Sequence, residues 1–206
     1  MKYTKYYLLT LSIIIIDQAI KLTVYKTFPY EGYYIPVLGN WFKLHYITNP
    51  GMAFGIEIGS QYGKMILTIF RLVAMVVIGI YLYRLAKKDT HPGLLWCIGG
   101  ILGGAIGNVV DSTFYGALLG DDLVSMIYDP GTKEMVMPPT PWFHGKVIDM
   151  FYIDICNCYI PSWVPIFGGE YYALWPIFNF ADASIFVSVC IIVIFQKKFF
   201  KESEKK

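Results

Sequence analysis

Charge is scarce in this chain. Asp, Glu, Lys and Arg make up 16% of its 206 residues, whereas 56% are hydrophobic and the mean hydropathy is +0.50. A soluble domain carries about 25% charged residues, so the shortage excludes an ordinary soluble fold and points to a polytopic membrane protein. Histidine and cysteine are sparse too. The three histidines are scattered, and no basic patch is interleaved with aromatics as a nucleic-acid binder needs. Cys97 and Cys190 lie inside apolar runs as small core residues. Cys156 and Cys158 have one residue between them, which suits neither a zinc site nor a thioredoxin-like motif. The chain also lacks Gly-x-Ser-x-Gly, His-Glu-x-x-His and a phosphate-binding loop, so the hydrolase and nucleotide chemistries that need them have no carrier.

What is present in abundance is apolar runs. Roughly 20 such residues cross a bilayer, and runs at about 5–25, 63–85, 93–119 and 174–195 predict four transmembrane helices. The first resembles a signal peptide, with Lys2 and Lys5 ahead of an apolar core, but no small-residue cleavage site follows it. Basic residues set the orientation. Lys2 and Lys5 precede the first span, Arg84, Lys87 and Lys88 divide the second from the third, and Lys197, Lys198 and Lys201 follow the fourth. Residues 1–206 are therefore expected to form one polytopic membrane domain. Both termini should be cytoplasmic, with outward loops at 26–62 and 120–173.

Those loops carry pattern of their own. Residues 41–47 alternate as a short strand, with Phe42, Leu44 and Tyr46 on one face, and Asn49-Pro-Gly51 reads as a turn. Residues 120–145, with Asp121, Asp122, Asp129, Pro130 and Gly131, have the composition of a surface excursion. Residues 150–173 are rich in Tyr, Trp, Pro and Ile, as an interfacial segment would be.

The few ionisable residues inside the spans fall at matching positions. Asp17, Arg71, Asp111 and Asp182 each lie about six to eight residues from the outer end of a span, roughly 10 Å deep. A charge at such depth is costly and by default marks a functional site. Asp17 and Lys21 stand at i,i+4 with the acid first, the favourable order for a helical pair; self-neutralisation for insertion explains that pair as well as a functional role does. Gly100, Gly104 and Gly107 form a small-residue ridge for close helix approach. It leads to Asn108-Val-Val-Asp111, a spacing repeated in Asn179-Phe-Ala-Asp182. Polar packing clamps are the plain alternative for both. Asp149 stands in the outer loop among Val147, Ile148, Met150 and Phe151, poorly placed for solvation, and is the expected partner of Asp182. Two carboxyls held close share a proton. Such a pair supplies the base and the acid of aspartic proteolysis.

Five blocks in order now resemble the lipoprotein signal peptidases, the type II signal peptidases of bacterial inner membranes. They are Asp17-Gln-Ala-Ile-Lys21, Asn49-Pro-Gly-Met-Ala-Phe-Gly55, Gly104-Ala-Ile-Gly-Asn-Val-Val-Asp111, Val147-Ile-Asp-Met-Phe151 and Phe178-Asn-Phe-Ala-Asp-Ala-Ser-Ile185. The resemblance implies a membrane all-α bundle of four transmembrane helices with a small outer β-rich cradle, here with a long outer loop. It implies a catalytic pair at Asp149 and Asp182, supported by Asp17, Lys21, Asn49, Gly51, Gly104, Asn108, Asp111, Asn179 and Ala181. The implied reaction removes the signal peptide of a prolipoprotein just before a cysteine carrying a diacylglyceryl group. The implied surroundings are membrane lipids, with no nucleic acid, metal or cofactor.

Two departures stand out. The family's arginine after the third-block aspartate is Ser112 here, which makes Arg71 the candidate replacement beside Asp111. The spacer from Thr113 to His144 is also long for the family. The competing class is a small transporter or ion-conducting subunit with relaying carboxylates; it expects polar residues throughout the bilayer depth, yet residues 73–80 and 187–195 carry almost none. A non-enzymatic assembly protein would use the same acids for packing only.

Overall fold

The structure, a computed structural model, describes residues 3–50, 62–88, 90–155, 157–159, 161–163, 169, 171–173 and 175–201. Helix α1 (Thr4–Thr27) leads into strands β1 (Tyr34–Leu38) and β2 (Phe42–Asn49). Helices α2 (Gly63–Lys87) and α3 (Pro92–Val110) follow, and α3 runs through a π-helical turn at Asp111–Tyr115 into the short α4 (Gly116–Leu118). Beyond it come β3 (Ile127–Asp129), β4 (Glu134–Val136), β5 (Val147–Ile153), β6 (Asn157–Tyr159) and β7 (Tyr171–Ala173). Helices α5 (Phe180–Ile194) and α6 (Gln196–Lys201) close the chain.

Polarity is inverted relative to a soluble bundle. Asp17, Lys21, Thr68 and Asp111 are fully buried, while Leu8, Ile15, Phe70, Val77, Val187 and Ile194 are exposed. With no water to satisfy a backbone in lipid, long apolar segments close their own hydrogen bonds as helices, and among the described residues three are long and apolar enough to cross a membrane: Thr4–Thr27, Gly63–Lys87 and Pro92–Leu118. The expected fourth span is shorter than its apolar run. Helix α5 has 15 residues, about 22 Å at helical rise. The segment ahead of it is extended instead, because Phe151 and Phe178 exchange backbone hydrogen bonds of 2.8 and 3.1 Å.

Helix α3 is the hub, with α1, α2 and α5 packed around it. Glycines permit this. A Cβ at Gly103 would stand 2.9 Å from Ile13 on α1, and one at Gly104 would run into the Ala181 carbonyl of α5. Gly100 and Gly104 of the expected ridge thus face α5, Gly99 and Gly103 form a second face toward α1, and Gly107 lies between them against both Asp17 and Ala181. At the far end, Leu82, Ala86, Leu95, Ile98 and Leu102 make an apolar core.

Strands β1, β2 and β5 form an antiparallel sheet in that order. Strand β2 comes from the first long connection and β5 from the second, so their pairing places both connections at one end of the bundle. Asp149 therefore lies on a strand and not in a loop. Val147, Ile148, Asp149 and Met150 are all buried, and a strand covered on both faces loses the alternation that marks strands in a sequence. The presumed excursion is partly anchored as well, since Leu123, Val124 and Ile127 are buried beside the body. Within it, the β3–β4 hairpin forms a two-stranded sheet separate from the three-stranded one. Part of the expected interfacial segment forms a second hairpin, β6 with β7.

Candidate active site

The site is assembled where β5 meets the start of α5. The residue after Phe178 is Asn179, which caps α5: its side chain accepts from the Asp182 amide at 2.9 Å, and Asp182 Oδ2 accepts from the Asn179 amide at 3.4 Å. This reciprocal capping box satisfies free donors at the helix start. It also changes the sequence-based picture of Asp182, which lies in the first turn of α5 rather than several residues inside the helix. Asn108 and Asp111, in contrast, sit at the opposite terminus of their helix, so the repeated spacing serves two different local structures.

Asn179 joins the two carboxyl groups. Its Nδ2 donates to Asp149 Oδ1 at 2.7 Å and to Asn108 Oδ1 at 3.1 Å. Asn108 in turn donates to Asp182 Oδ1 at 2.7 Å. On the other side of Asp149, Asn49 donates to Oδ2 at 3.2 Å. The β2–β5 register explains that contact: Asp149 pairs with Ile47 and Asn49 with Val147, which leaves Asn49 diagonal to Asp149 on one face. Burial first, and then the Asp182 charge, push the Asp149 carboxyl up to about 7, against the opposing donors Asn49 and Asn179 and the charge of Lys21.

Beneath this pair lies an ionic layer. Lys21 reaches Asp17 at 2.9 Å, Asp111 at 2.7 Å and Asn108 at 3.0 Å, using all three ammonium protons. Asp17 also accepts from the Ala181 amide at 2.9 Å, and Asp111 from Gln18 at 2.8 Å and from the Ile148 amide at 3.4 Å. The i,i+4 pair is therefore two members of a triad, completed by Asp111, that ties α1, α3, α5 and β5 together. Gly104 and Ala181 serve by being small. The Asp111 partner is Lys21, while Arg71 donates to Ser112 Oγ at 3.3 Å and is near enough to Asp182, Asp111 and Asp149 to interact with each. Gly51 lies outside the described residues.

Several participants escaped the sequence reading. Gln18 bridges Asp17 and Asp111, and Tyr115 donates to its Oε1 at 2.9 Å; adjacency to Asp17 was the available signal. On α2, Lys64 donates to the Pro50 carbonyl and Thr68 to the Phe143 carbonyl at 2.9 Å. A lysine near the start of an apolar run pointed to Lys64; nothing marked Thr68. Among the described residues no group of His, Cys, Asp and Glu is arranged to hold a metal ion.

Two carboxyls bridged by one asparagine, at the sheet end of an inverted-polarity bundle, are suited to proton exchange. Comparison with known proteins agrees: the family described as Signal peptidase (SPase) II matches residues 9–198. The chain belongs to that family. It is 43% identical over 195 residues to the lipoprotein signal peptidase of Amoebophilus asiaticus, covering 94% of this chain and 78% of the relative. It is 37% identical over 186 residues to that of Porphyromonas gingivalis, covering 88% and 78%. In fold it is similar to two solved structures described as a bacterial membrane enzyme, with TM-scores of 0.57 and 0.58 at 24% and 23% identity. The first comparison covers 98% of this chain and 92% of that one; the second covers 93% and 91%. The protein is thus a signal peptidase II protease, which leaves the transporter alternative unfavoured.

Proposed function

We propose that the protein is an intramembrane aspartyl endopeptidase that removes signal peptides from diacylglyceryl-modified prolipoproteins, cutting just before the lipidated cysteine. The observation that carries this reading is the shared Asn179, which bonds Asp149 through its side chain and Asp182 through its backbone amide. The relatives are named lipoprotein signal peptidases, which supports the substrate class. Asp149 and Asp182 are the catalytic pair. Asp17, Lys21, Asn49, Gly51, Arg71, Gly104, Asn108, Asp111, Asn179 and Ala181 support it or line the substrate path.

The proposed chemistry is general acid–base hydrolysis. With Asp149 protonated near neutrality, Asp182 takes a proton from a water molecule whose oxygen forms the new bond to the scissile carbonyl carbon. Asp149 donates its proton to the carbonyl oxygen. The tetrahedral gem-diol collapses as the C–N bond breaks: one of its hydroxyls returns a proton to Asp149 as the C=O re-forms, and the amine of the new N-terminal cysteine leaves with the proton held by Asp182. The released carboxyl ends the signal peptide, and the pair again holds one proton.

In this reading residues 1–206 are one polytopic unit of the bacterial inner membrane, with α5 as the fourth crossing. The termini are cytoplasmic, as the lysines flanking the apolar runs favour, and the sheet end faces outward. Lipids surround the bundle, and a lipid-anchored substrate arrives within their plane. Asp149→Asn and Asp182→Asn are expected to leave an inserted, folded protein without cleavage activity. The assay compares a diacylglyceryl-modified precursor peptide with its unmodified form; full activity in either variant removes that residue from the pair, and equal cleavage of both peptides removes the lipid requirement.

A further inference from the structure

A second polar row lies on α2, beside the carboxyl network. Lys64, Thr68 and Arg71 recur at i, i+4 and i+7, so they share one face of the helix. Lys64 is only 5% exposed, near the first turn of α2. Its ammonium grips the carbonyl of Pro50, the residue after Asn49. Asn49 ends β2, where its backbone is registered against Val147 of β5, and its side chain donates to Asp149 Oδ2 at 3.2 Å. The ladder thus restrains Asn49 from one side and Lys64 restrains the chain just beyond it. Proline has a fixed φ, so a hold on the Pro50 carbonyl is passed to the 49–50 peptide with little slack.

We propose that Lys64 is a positioning residue for the carboxyl pair, which by clamping the Pro50 carbonyl keeps the Asn49 amide on Asp149. The inference rests on the reading of Asp149 as catalytic. Among the described residues, the charged and titratable groups around Asp149 are Asp182 from α5, Lys21 from α1 and Arg71 from α2, and Asp111 at the end of α3 bonds the adjacent Ile148 amide. Asn49 donates directly to Asp149 Oδ2, and a donor on a carboxylate oxygen favours its ionised form.

The test is a pH titration of the protonated Asp149 carbonyl band by difference infrared spectroscopy on the full chain in detergent, with the band assigned by its loss in Asp149→Asn. Asn49→Ala is expected to raise the midpoint by roughly 0.5–1 pH unit, the worth of one hydrogen bond. Lys64→Met should raise it in the same direction. In the Asn49→Ala background, Lys64→Met should add nothing, because both changes remove the same contact. Thr68→Val, which takes a different hydrogen bond from the same face, should leave the midpoint in place. The corresponding limb of the kcat profile should follow the band. An unmoved midpoint in Lys64→Met overturns the proposal, and so does an equal shift with and without Asn49, which would mean that the ammonium acts through space. Should Lys64→Met fail to fold, Lys64→Leu, which likewise has no donor for the Pro50 carbonyl, gives the same comparison. If Asp149→Asn still cleaves, the catalytic reading fails, while the infrared midpoints still decide whether Lys64 positions Asn49.

Discussion

Asp149 holds its proton to about pH 7 because it is buried beside Asp182. An aspartate in an unfolded chain releases its proton near 3.9. The fold therefore favours the neutral carboxyl, and that contribution to stability is fully present below about pH 4 and lost as pH rises through about 7. Asp149→Asn removes the titration, so its melting temperature should vary less between pH 4.5 and 7.5 than that of the parent protein. Cleavage should decline above about pH 7, where the pair loses its shared proton. Asp182→Asn takes away the charge that helps to raise Asp149, and should move its infrared midpoint downward. Lys21 is a different case. It is wholly buried between Asp17 and Asp111, and Lys21→Met would leave two carboxylates buried without their cation. A loss of about 3–5 kcal/mol is expected, visible as a large fall in melting temperature whatever the state of the proposed catalytic pair.

Helices α3 and α5 bring Asn108 to Asp182 because Gly104 lets the Ala181 backbone come close. Gly104→Val must push α5 away or twist it, and should cost about 1–3 kcal/mol by overpacking, together with cleavage. Thermal melts and the peptide assay measure both. The ridge leading to Asp111 was legible from glycine spacing. The second glycine face toward α1 was not, because overlapping ridges on one helix cannot be assigned to neighbours without knowing which helices flank it. Helix α2 supplies Arg71 opposite Ser112. Arg71→Leu should lower activity or stability, and adding Ser112→Arg should restore part of the loss by placing a guanidinium beside Asp111 from α3. If the second change restores nothing, Arg71 does not replace the family's arginine.

The arrangement of the whole chain follows from two long connections meeting at one end of the bundle, where β2 pairs with β5. The long spacer is divided by packing. Leu123 and Val124 are buried, whereas β3 and β4, among the described residues, pair only with each other. Replacing residues 128–136 with a short turn should shift the melting temperature by no more than a few degrees, while Leu123→Ala should cost about 2–5 kcal/mol. Hydropathy, basic flanks and the scarcity of charge were enough to read a membrane protein with its polar residues concentrated at one level, because each depends on local composition. The motif blocks marked most of the site for the same reason. Which carboxyl meets which was set by packing. Asn179 reaches Asp149 across 30 positions, and the Ala181 amide reaches Asp17 across 164. No period in a sequence encodes such distances. Strand β5, buried on both faces, hid its own identity, and the capping of α5 by Asn179 placed Asp182 in its first turn. Residue types and spans are local properties of the chain; the meeting of Asp149 with Asp182, of Lys21 with Asp111 and of Lys64 with Pro50 exists only once helices and sheet are packed.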